Sequence, residues 1–256
     1  MISCFFMGGL GNQLFQLSAA YSLAKDVDDN FGIDITQDDG IQMPAAFYKD
    51  SFFKKINQIN LKDENFENIY NEPFFSYNKI PHKKNVLLRG YFQSEKYFEK
   101  YYDEICELLL NYEIISKLKD NFKLENSLSI HVRRGDYLTK SSYHTNQNLS
   151  YYLDSIKYIE KLKNIDIIYI FSDDIKWCKE NFNDSRIVYT ENLTDYEELY
   201  LMSLCNYNII ANSSFSWWGS YLNLNENKIV IAPKTWFGPL FQGSWQDIYY
   251  KNNIIL

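Results

Sequence analysis

The chain has 256 residues, 46% hydrophobic and 18% aromatic, which excludes a disordered protein and suits one large α/β domain or, as we expect, two compact lobes. The formal charge of -7 and the pI of about 5.1 exclude a general nucleic-acid partner or an anionic-membrane surface. Any polyanionic ligand must therefore be met by a local pocket.

The N-terminal segment and the cysteines indicate where in the cell we expect the protein. The apolar stretch Met1 to Met7 is too short for a signal peptide, and no apolar run approaches the roughly 20 residues that span a bilayer. We therefore expect a cytoplasmic protein without a transmembrane segment, for which peripheral membrane association stays open. The cysteines lack C-x-x-C spacing, which favours buried free thiols over disulfides or zinc; they are Cys4, Cys106, Cys178 and Cys205.

Short β-rich runs alternate with amphipathic segments, which predicts open, mostly parallel sheets. The predicted strands span residues 2–6, 31–35, 86–88, 128–132, 167–171, 187–189, 208–211 and 228–232. The predicted helices span residues 12–25, 95–110 and 151–163, and a capping box at Thr194 opens another. A polar stretch, whose pattern also permits a helix, separates the two predicted lobes, residues 1–124 and 125–256.

Glycines join the first predicted strand to the first helix in Met7-Gly8-Gly9-Leu10-Gly11-Asn12-Gln13. The backbone N–H groups around Gly9 and Gly11, at a helix N-terminus, can hold an anionic ligand. A tight turn with Asn12 as helix cap is the alternative, and it leaves Gln13 unexplained.

The sequence Arg89-Gly90-Tyr91-Phe92-Gln93-Ser94 follows another predicted strand. Tyr91 offers a flat apolar face and Gln93 an amide, a combination that suits a sugar. A turn capped by Ser94 explains the same residues equally well.

An arginine pair follows the strand at residues 128–132. The chain has only four arginines among its 26 basic residues, and two of them are adjacent in His131-Val132-Arg133-Arg134-Gly135-Asp136-Tyr137. Guanidinium groups bind planar anions such as phosphate in a bidentate way, although a structural ion pair is the alternative. His131 alone would be interpreted as a core residue, but its neighbours are strongly polar.

Two further strand ends carry polar side chains. Asp173 is placed to accept from a ribose hydroxyl or a guanine N–H, whereas Asp174 fits a helix cap. Ser213 and Ser214 precede Phe215 at a helix start, where hydroxyls and N–H groups form a second anion-binding turn.

Together these motifs resemble the bacterial α-1,2-fucosyltransferases of glycosyltransferase family 11, in order and spacing, from residue 7 to about residue 237. The matching segments are residues 8–16, 90–98, 131–137, 171–174 and 213–218. The resemblance implies a GT-B architecture of two Rossmann-like lobes with mostly parallel sheets and a cleft between them. It places the nucleotide sugar chiefly on residues 125–256.

The resemblance also implies a reaction. L-Fucose passes from GDP-β-L-fucose to the 2-hydroxyl of a terminal galactose with inversion, and neither a metal nor a cofactor is required. The acceptor is a galactose-terminated oligosaccharide such as lactose, N-acetyllactosamine or an O-antigen. The segment that ends at Leu256 and the first lobe are short for this family, so the preferred acceptor stays open.

The resemblance assigns roles to individual residues. Arg133 neutralises the departing diphosphate, Asp136 either removes the acceptor proton or orients an arginine, and Asn12 holds fucose or acceptor hydroxyls. Tyr91 and Gln93 contact the acceptor. The donor-binding residues are Gly9, Gly11, Gln13, His131, Arg133, Arg134, Asp173, Ser213, Ser214 and Phe215.

Alternatives remain at this point. A transferase using another GDP-sugar fits, because no residue identifies the 6-deoxy group. An NAD-dependent oxidoreductase would use Gly9-x-Gly11 with Asp34, although Leu14 stands where the third glycine belongs and the arginine pair would have no role. A noncatalytic carbohydrate-binding protein would explain the aromatic residues. His144 lies among polar residues before Tyr151 and Tyr152; a position near the cleft is one interpretation, and a plain loop histidine is the simpler one.

Overall fold

The computed structural model describes residues 1–37 and 42–256, which form two compact units. The first unit comprises Met1–Asn111 and Gly243–Tyr250, and the second comprises Tyr112–Gln242 and Lys251–Leu256. Each unit has its own sheet. Neighbouring strands in both sheets, which are named below, are parallel.

The sheet of the first unit has three strands in the order β1-β3-β2. The predicted strand at residues 31–35 is not a continuous strand. It forms only two isolated parallel bridges, Phe31 with Ile2 and Ile33 with Gln58. The elements are β1 (Ile2–Cys4), α1 (Leu10–Val27), β2 (Asn68–Asn71), β3 (Val86–Arg89) and α2 (Tyr102–Leu109).

Helix α1 is longer than predicted at both ends. It begins after Gly9, so Asn12 lies inside the first turn and is not the cap. It ends at Val27, and the C-cap Asp28 has a left-handed backbone (φ 49°) that lets its N–H donate to Ala24 O. The predicted helix at residues 95–110 is instead two short 3-10 turns followed by α2, since Phe98 has an extended φ of -148° that interrupts helical geometry.

The second unit has a six-stranded sheet in the order β6-β5-β4-β7-β8-β9. Its strands are β4 (Ser127–Val132), β5 (Ile167–Ser172), β6 (Ile187–Tyr189), β7 (Tyr207–Ile209), β8 (Ile229–Ala232) and β9 (Asn253–Ile255). Its helices are α3 (Tyr112–Asn121), α4 (Leu149–Glu160), α5 (Ile175–Asn181), α6 (Asp195–Leu204) and α7 (Ser214–Tyr221).

The two faces of β4 differ in chemistry because side chains alternate along a strand. Leu128, Ile130 and Val132 belong to an apolar cluster with residues of α4 and α5, where full burial of each such side chain stabilises by about 1.5–3 kcal/mol. On the other face, Ser129 Oγ accepts from Asn208 Nδ2 at 2.7 Å. His131 shares this polar face, which leads toward the carboxyl edge of the sheet.

The division between the units falls before the predicted boundary at residue 124. Helix α3 belongs to the second unit because Ile115 and Leu118 are buried and the helix packs against α6. The four cysteines are buried free thiols, as predicted. Within the described parts of the chain, none of the helices has the length and apolar character needed to cross a membrane.

Candidate active site

The polar residues of the second unit meet at the carboxyl edge of its sheet. Val132 of β4 pairs with Ser172 of β5 in parallel register, so the residues that follow both strands leave the same edge. In parallel sheets this edge is the usual ligand-binding side. The arginine pair and Asp173 are therefore neighbours, as the resemblance implied.

The Arg133 guanidinium is held between two carboxylates. Its Nη2 donates to Asp136 Oδ1 at 2.6 Å, and its Nη1 lies 2.8 Å from Asp173 Oδ2. The guanidinium carbon lies 5.3 Å from the centre of the Tyr137 ring, and the side chain remains 29% exposed. Since a guanidinium has five N–H donors, these two contacts orient the fork and leave three donors for a ligand.

Asp173 acts as a clamp on the loop that follows β4. Its Oδ1 accepts from the backbone N–H of Arg134 at 2.8 Å, while its Oδ2 pairs with Arg133. A Cβ atom on Gly135 would lie only 2.5 Å from Asp173 Oδ2, so a larger residue would force the carboxylate or the loop to shift. The predicted contact of Asp173 with ribose or guanine stays a prediction, and its positioning role was missed from the sequence.

Arg134 has two partners within the second unit, and its predicted role in donor binding stays a prediction. Its Nε donates to Asp174 Oδ2 at 3.0 Å, and its guanidinium carbon lies 4.0 Å from the centre of the Trp177 ring. Asp174 also accepts from Trp177 N as the N-cap of α5, as its sequence position indicated. These contacts link the loop after β4 to the start of α5.

Asp136 is tied to two cations. Its carboxylate accepts from Arg133 and from Lys140, the latter at 3.4 Å. Burial raises the pKa of Asp136, but the two cations more than offset this effect and leave the pKa below its usual range. The contact with Arg133 matches the orienting role considered for Asp136, and its role as general base stays a prediction.

His131 is buried beside Phe215, with 5.5 Å between the ring centres. Burial and, secondarily, the charge of Arg133 lower the pKa of His131 to about 3, so the imidazole is neutral. Its Nδ1 is buried and has no hydrogen-bond partner within residues 1–37 and 42–256. The predicted contact with the donor stays a prediction.

The turn before α7 has the predicted geometry of a helix start. Ser213 is the N-cap, and its hydroxyl accepts from Phe215 N at 3.3 Å. Ser214 begins the helix and is half-buried, and the tryptophans at 217 and 218 are fully buried. The hydroxyl-rich helix N-terminus thus lies at the same sheet edge as Arg133, because β4 pairs with β7.

Asn212 connects the loop after β4 to the end of β7. Its Nδ2 donates to Thr145 O and Trp236 O, its Oδ1 accepts from Gln147 Nε2, and its backbone O accepts from the Tyr137 hydroxyl. Sequence reasoning missed this role. The only available signal was its position directly before the serine pair at a strand end.

In the first unit, the structure brings Asn12 and Gln93 together. Gln93 Nε2 donates to Asn12 Oδ1 at 2.7 Å, although 80 residues separate them in sequence. Gly8 allows this arrangement, since it has a φ of 74° and a Cβ there would lie 2.3 Å from Asn12 Nδ2. Gly9 caps α1 and Gly11 is buried within its first turn.

Gln13 is fully buried, and its predicted contact with the donor stays a prediction. Its Nε2 donates to Gly8 O at 3.4 Å and to Met43 O at 3.0 Å. Gln16 acts in the same way, accepting from Met7 N and donating to Met7 O. Both glutamines therefore hold the glycine loop in place.

Tyr91 is 40% exposed, and its turn is organised by a residue that sequence reasoning missed. Glu72 accepts from the backbone N–H groups of Tyr91 and Phe92 and from the Tyr97 hydroxyl. Burial raises the pKa of Glu72 despite these bonds. Phe92 has a left-handed φ of 52°, so Glu72 stabilises a strained turn that delivers Gln93 to Asn12.

Comparison with known proteins is consistent with this arrangement. The model of glycosyl transferase family 11 matches residues 6–256. The chain belongs to this family. Glycosyltransferase family 11 was the resemblance indicated by the five motifs, and membership makes the protein a glycosyltransferase.

Two relatives and one solved structure illustrate the similarity. The chain is 32% identical to the O-antigen biosynthesis glycosyltransferase WbnK of Escherichia coli, covering 93% of this chain and 95% of that protein. It is 31% identical to an α-1,2-colitosyltransferase of Escherichia coli, covering 90% of each. The fucosyltransferase NodZ from Bradyrhizobium matches with a TM-score of 0.57 at 14% identity, over 86% of this chain and 92% of NodZ, which confirms the GT-B fold.

Proposed function

We propose that this family 11 enzyme transfers L-fucose from GDP-β-L-fucose to the 2-hydroxyl of a terminal galactose, with inversion and without a metal ion. The observation that carries the proposal is the Arg133 guanidinium, fixed by Asp136 and Asp173 at the carboxyl edge of the second sheet. The similarity to an α-1,2-colitosyltransferase supports the α-1,2 linkage, and the motif pattern of fucosyltransferases supports the donor.

The chemistry requires a fixed positive charge. When the bond between fucose C1 and the phosphate oxygen breaks, negative charge develops on the β-phosphate while the sugar becomes oxocarbenium-like. The donors that Arg133 retains are oriented before the reaction, so stabilising this charge costs no reorganisation. In this proposal Arg133 supplies the counter-charge that a divalent ion supplies in other transferases.

The start of α7 adds neutral donors to the same anion. The hydroxyls of Ser213 and Ser214, together with the positive end of the helix dipole, favour a phosphate at this position. The Phe215 N–H, which was also predicted to bind phosphate, already donates to Ser213 Oγ. It would have to be shared or released when the donor binds.

The first unit offers groups that suit sugar hydroxyls. The amides of Asn12 and Gln93 share one hydrogen bond, so each retains further donors or acceptors. The exposed ring of Tyr91 can cover an apolar face of the acceptor galactose. We assign these three residues to fucose or acceptor binding, with lactose, N-acetyllactosamine or an O-antigen galactose as the acceptor.

The structure argues against an NAD-dependent oxidoreductase more strongly than against a transferase that uses another GDP-sugar. Asp34, which would bind ribose in an NAD-dependent oxidoreductase, is 4% exposed and accepts from Thr36 and from Leu61 N, so its carboxylate is already occupied. Another GDP-sugar remains the second candidate donor. The relative named as an α-1,2-colitosyltransferase favours a colitose donor in particular.

A single incubation tests the proposal. The protein is mixed with GDP-fucose and lactose in EDTA, and 2'-fucosyllactose is measured by chromatography. We expect product despite chelation, and a loss of about 10²–10³-fold in Arg133→Ala, the typical cost of removing one preorganised charge-stabilising donor. Arg133→Lys should recover only part of the rate, because an ammonium lacks the bidentate fork.

Arg186→Ala is the matched control. Arg186 is also held by two carboxylates, Asp184 and Glu160, but it lies at the start of β6, at the opposite edge of the sheet. Its removal should leave the transfer rate unchanged while circular dichroism confirms the fold of both variants. Product that vanishes in EDTA and returns with manganese would refute the metal-free mechanism, and product only with another GDP-sugar would refute the donor.

A further inference from the structure

His144 lies within the candidate site, although a plain loop position was its simpler interpretation from the sequence. Its ring stacks on the Tyr137 ring with 4.3 Å between centres and an 11° angle between planes. Its backbone N–H donates to Lys140 O, and the residue forms an antiparallel bridge with Phe237. Tyr137 in turn lies under the Arg133 guanidinium. The imidazole is therefore held in a defined place, one aromatic ring away from Arg133.

We propose that His144, and not Asp136, is the base that removes the proton from the acceptor hydroxyl. This inference rests on the proposed transfer reaction and names the residue that the reaction still lacks. The geometry behind it is the stacked, half-buried ring beside the Arg133–Asp136 pair.

The first step of the argument concerns Asp136. Both of its carboxylate oxygens contact cations, Oδ1 with Arg133 and Oδ2 with Lys140. Accepting a proton would weaken these two ion pairs at the moment when Arg133 must stay oriented. A carboxylate in this position therefore serves better as an anchor than as a base.

The second step concerns the state of the imidazole. His144 is only half-buried, which leaves the residue open to a sugar hydroxyl. Burial lowers the pKa of His144, and the charges of Lys140 and Arg133 lower it further, whereas Asp136 raises it. The ring is consequently neutral at pH 7, which is the form that accepts a proton.

Asp136 then has a part in the reaction after all. The imidazolium that forms on His144 is stabilised by the nearby carboxylate, the one charged neighbour that favours protonation. The same carboxylate holds Arg133, so a single acid links the proton acceptor to the group that receives the leaving diphosphate.

The step balances as follows. The O–H bond of the galactose 2-hydroxyl breaks and its proton moves to an imidazole nitrogen of His144. The oxygen forms a bond to fucose C1 from the face opposite the nucleotide. The C1–O bond to the β-phosphate breaks, its electron pair stays on the phosphate oxygen, and GDP leaves.

Two substitutions separate a chemical role from a packing role. His144→Phe retains a flat ring that can stack on Tyr137, and His144→Gln retains polarity without a titratable group. We expect both to lower kcat by about 10²-fold or more, within the range for removal of a general base, while the Kd for GDP measured by calorimetry stays unchanged. His82→Phe is the control, since this histidine is exposed and lies in the first unit, 3.7 Å from Asp26.

Two further readouts would not respond to a merely structural role. In the native enzyme kcat/KM should fall as the pH drops through the pKa of His144, because the protonated ring cannot accept a proton, and this dependence should disappear in His144→Phe. Added imidazole should restore part of the activity of His144→Gly. A native enzyme that makes no fucosylated product refutes the proposed function. A native enzyme that makes product, with His144→Phe within threefold of its rate, refutes only the role of His144.

Discussion

Gly135→Ala probes the contact that positions Arg133. The added Cβ would lie 2.5 Å from Asp173 Oδ2 and 3.1 Å from Asp173 Cγ, whereas ordinary contacts begin at 3.4 Å. The carboxylate must therefore retreat by about 0.9 Å, or the loop must shift by the same amount, at a cost of about 1–3 kcal/mol for overpacking a closely packed site. Gly135 has no left-handed φ, so backbone strain does not contribute.

The functional loss should exceed what instability alone causes. The displaced Asp173 loses its 2.8 Å contacts with Arg133 Nη1 and with Arg134 N, so the guanidinium keeps only Asp136 as an anchor. A displacement of about 1 Å in a positioning group can cost on the order of 10²-fold in rate. We expect kcat to fall by 10- to 100-fold and the GDP affinity to fall less.

A double-mutant cycle isolates the contact. Urea unfolding and steady-state transfer are measured for Gly135→Ala, Asp173→Ala and the double variant. Because Asp173→Ala removes the atoms that the new methyl group strikes, the double variant should be no less stable than Asp173→Ala, with a coupling of about 1–3 kcal/mol. Additive losses in stability, or a Gly135→Ala enzyme with native kcat, would refute the reasoning.

Two further substitutions test other parts of the second unit. Burial raises the pKa of Glu198 to about 7. The folded state therefore binds more protons than the unfolded state between pH about 4.5 and 7, and stability falls across this window by up to about 3 kcal/mol. Glu198→Gln should remove this slope and raise the Tm at pH 8, and an unchanged slope in thermal melts would contradict it. Asn212→Ala should destabilise by about 2–4 kcal/mol, because Thr145 O and Trp236 O lose their donor, and an unchanged urea midpoint would argue against this role.

The elements of the fold were largely predictable because they depend on local patterns. The apolar runs that became β3, β4, β5, β6 and β8 were recognised within one or two residues. Helix α1 is longer than predicted at both ends, whereas α4 begins two residues before its predicted start and ends three residues before its predicted end. The strands β2 and β9 were missed. The residues of β2, Asn68–Asn71, alternate between half-buried and exposed and are half asparagine, so only pairing with β3 makes them a strand.

The motifs likewise indicated where the site lies, but not the contacts between its side chains. Each candidate stood at the end of a strand, and parallel strands deliver their carboxyl ends to one edge, so the grouping of Arg133 with Asp173 followed from sequence order. The family resemblance, confirmed over residues 6–256, extended this grouping to a reaction class.

Sequence alone therefore determined the alternation of strands and helices, the family and the chemical types gathered at the sheet edge. Tertiary structure decided which partners hold each of the two adjacent arginines, why Gln13 is buried and how Asp173 holds the loop after β4. The physical reason is that local patterning depends on neighbours in the chain. The partners that fix the site come from distant parts of the chain. Asp173, which accepts from the Arg134 backbone N–H, is 39 residues away, and Thr145, which accepts from Asn212, is 67 residues away.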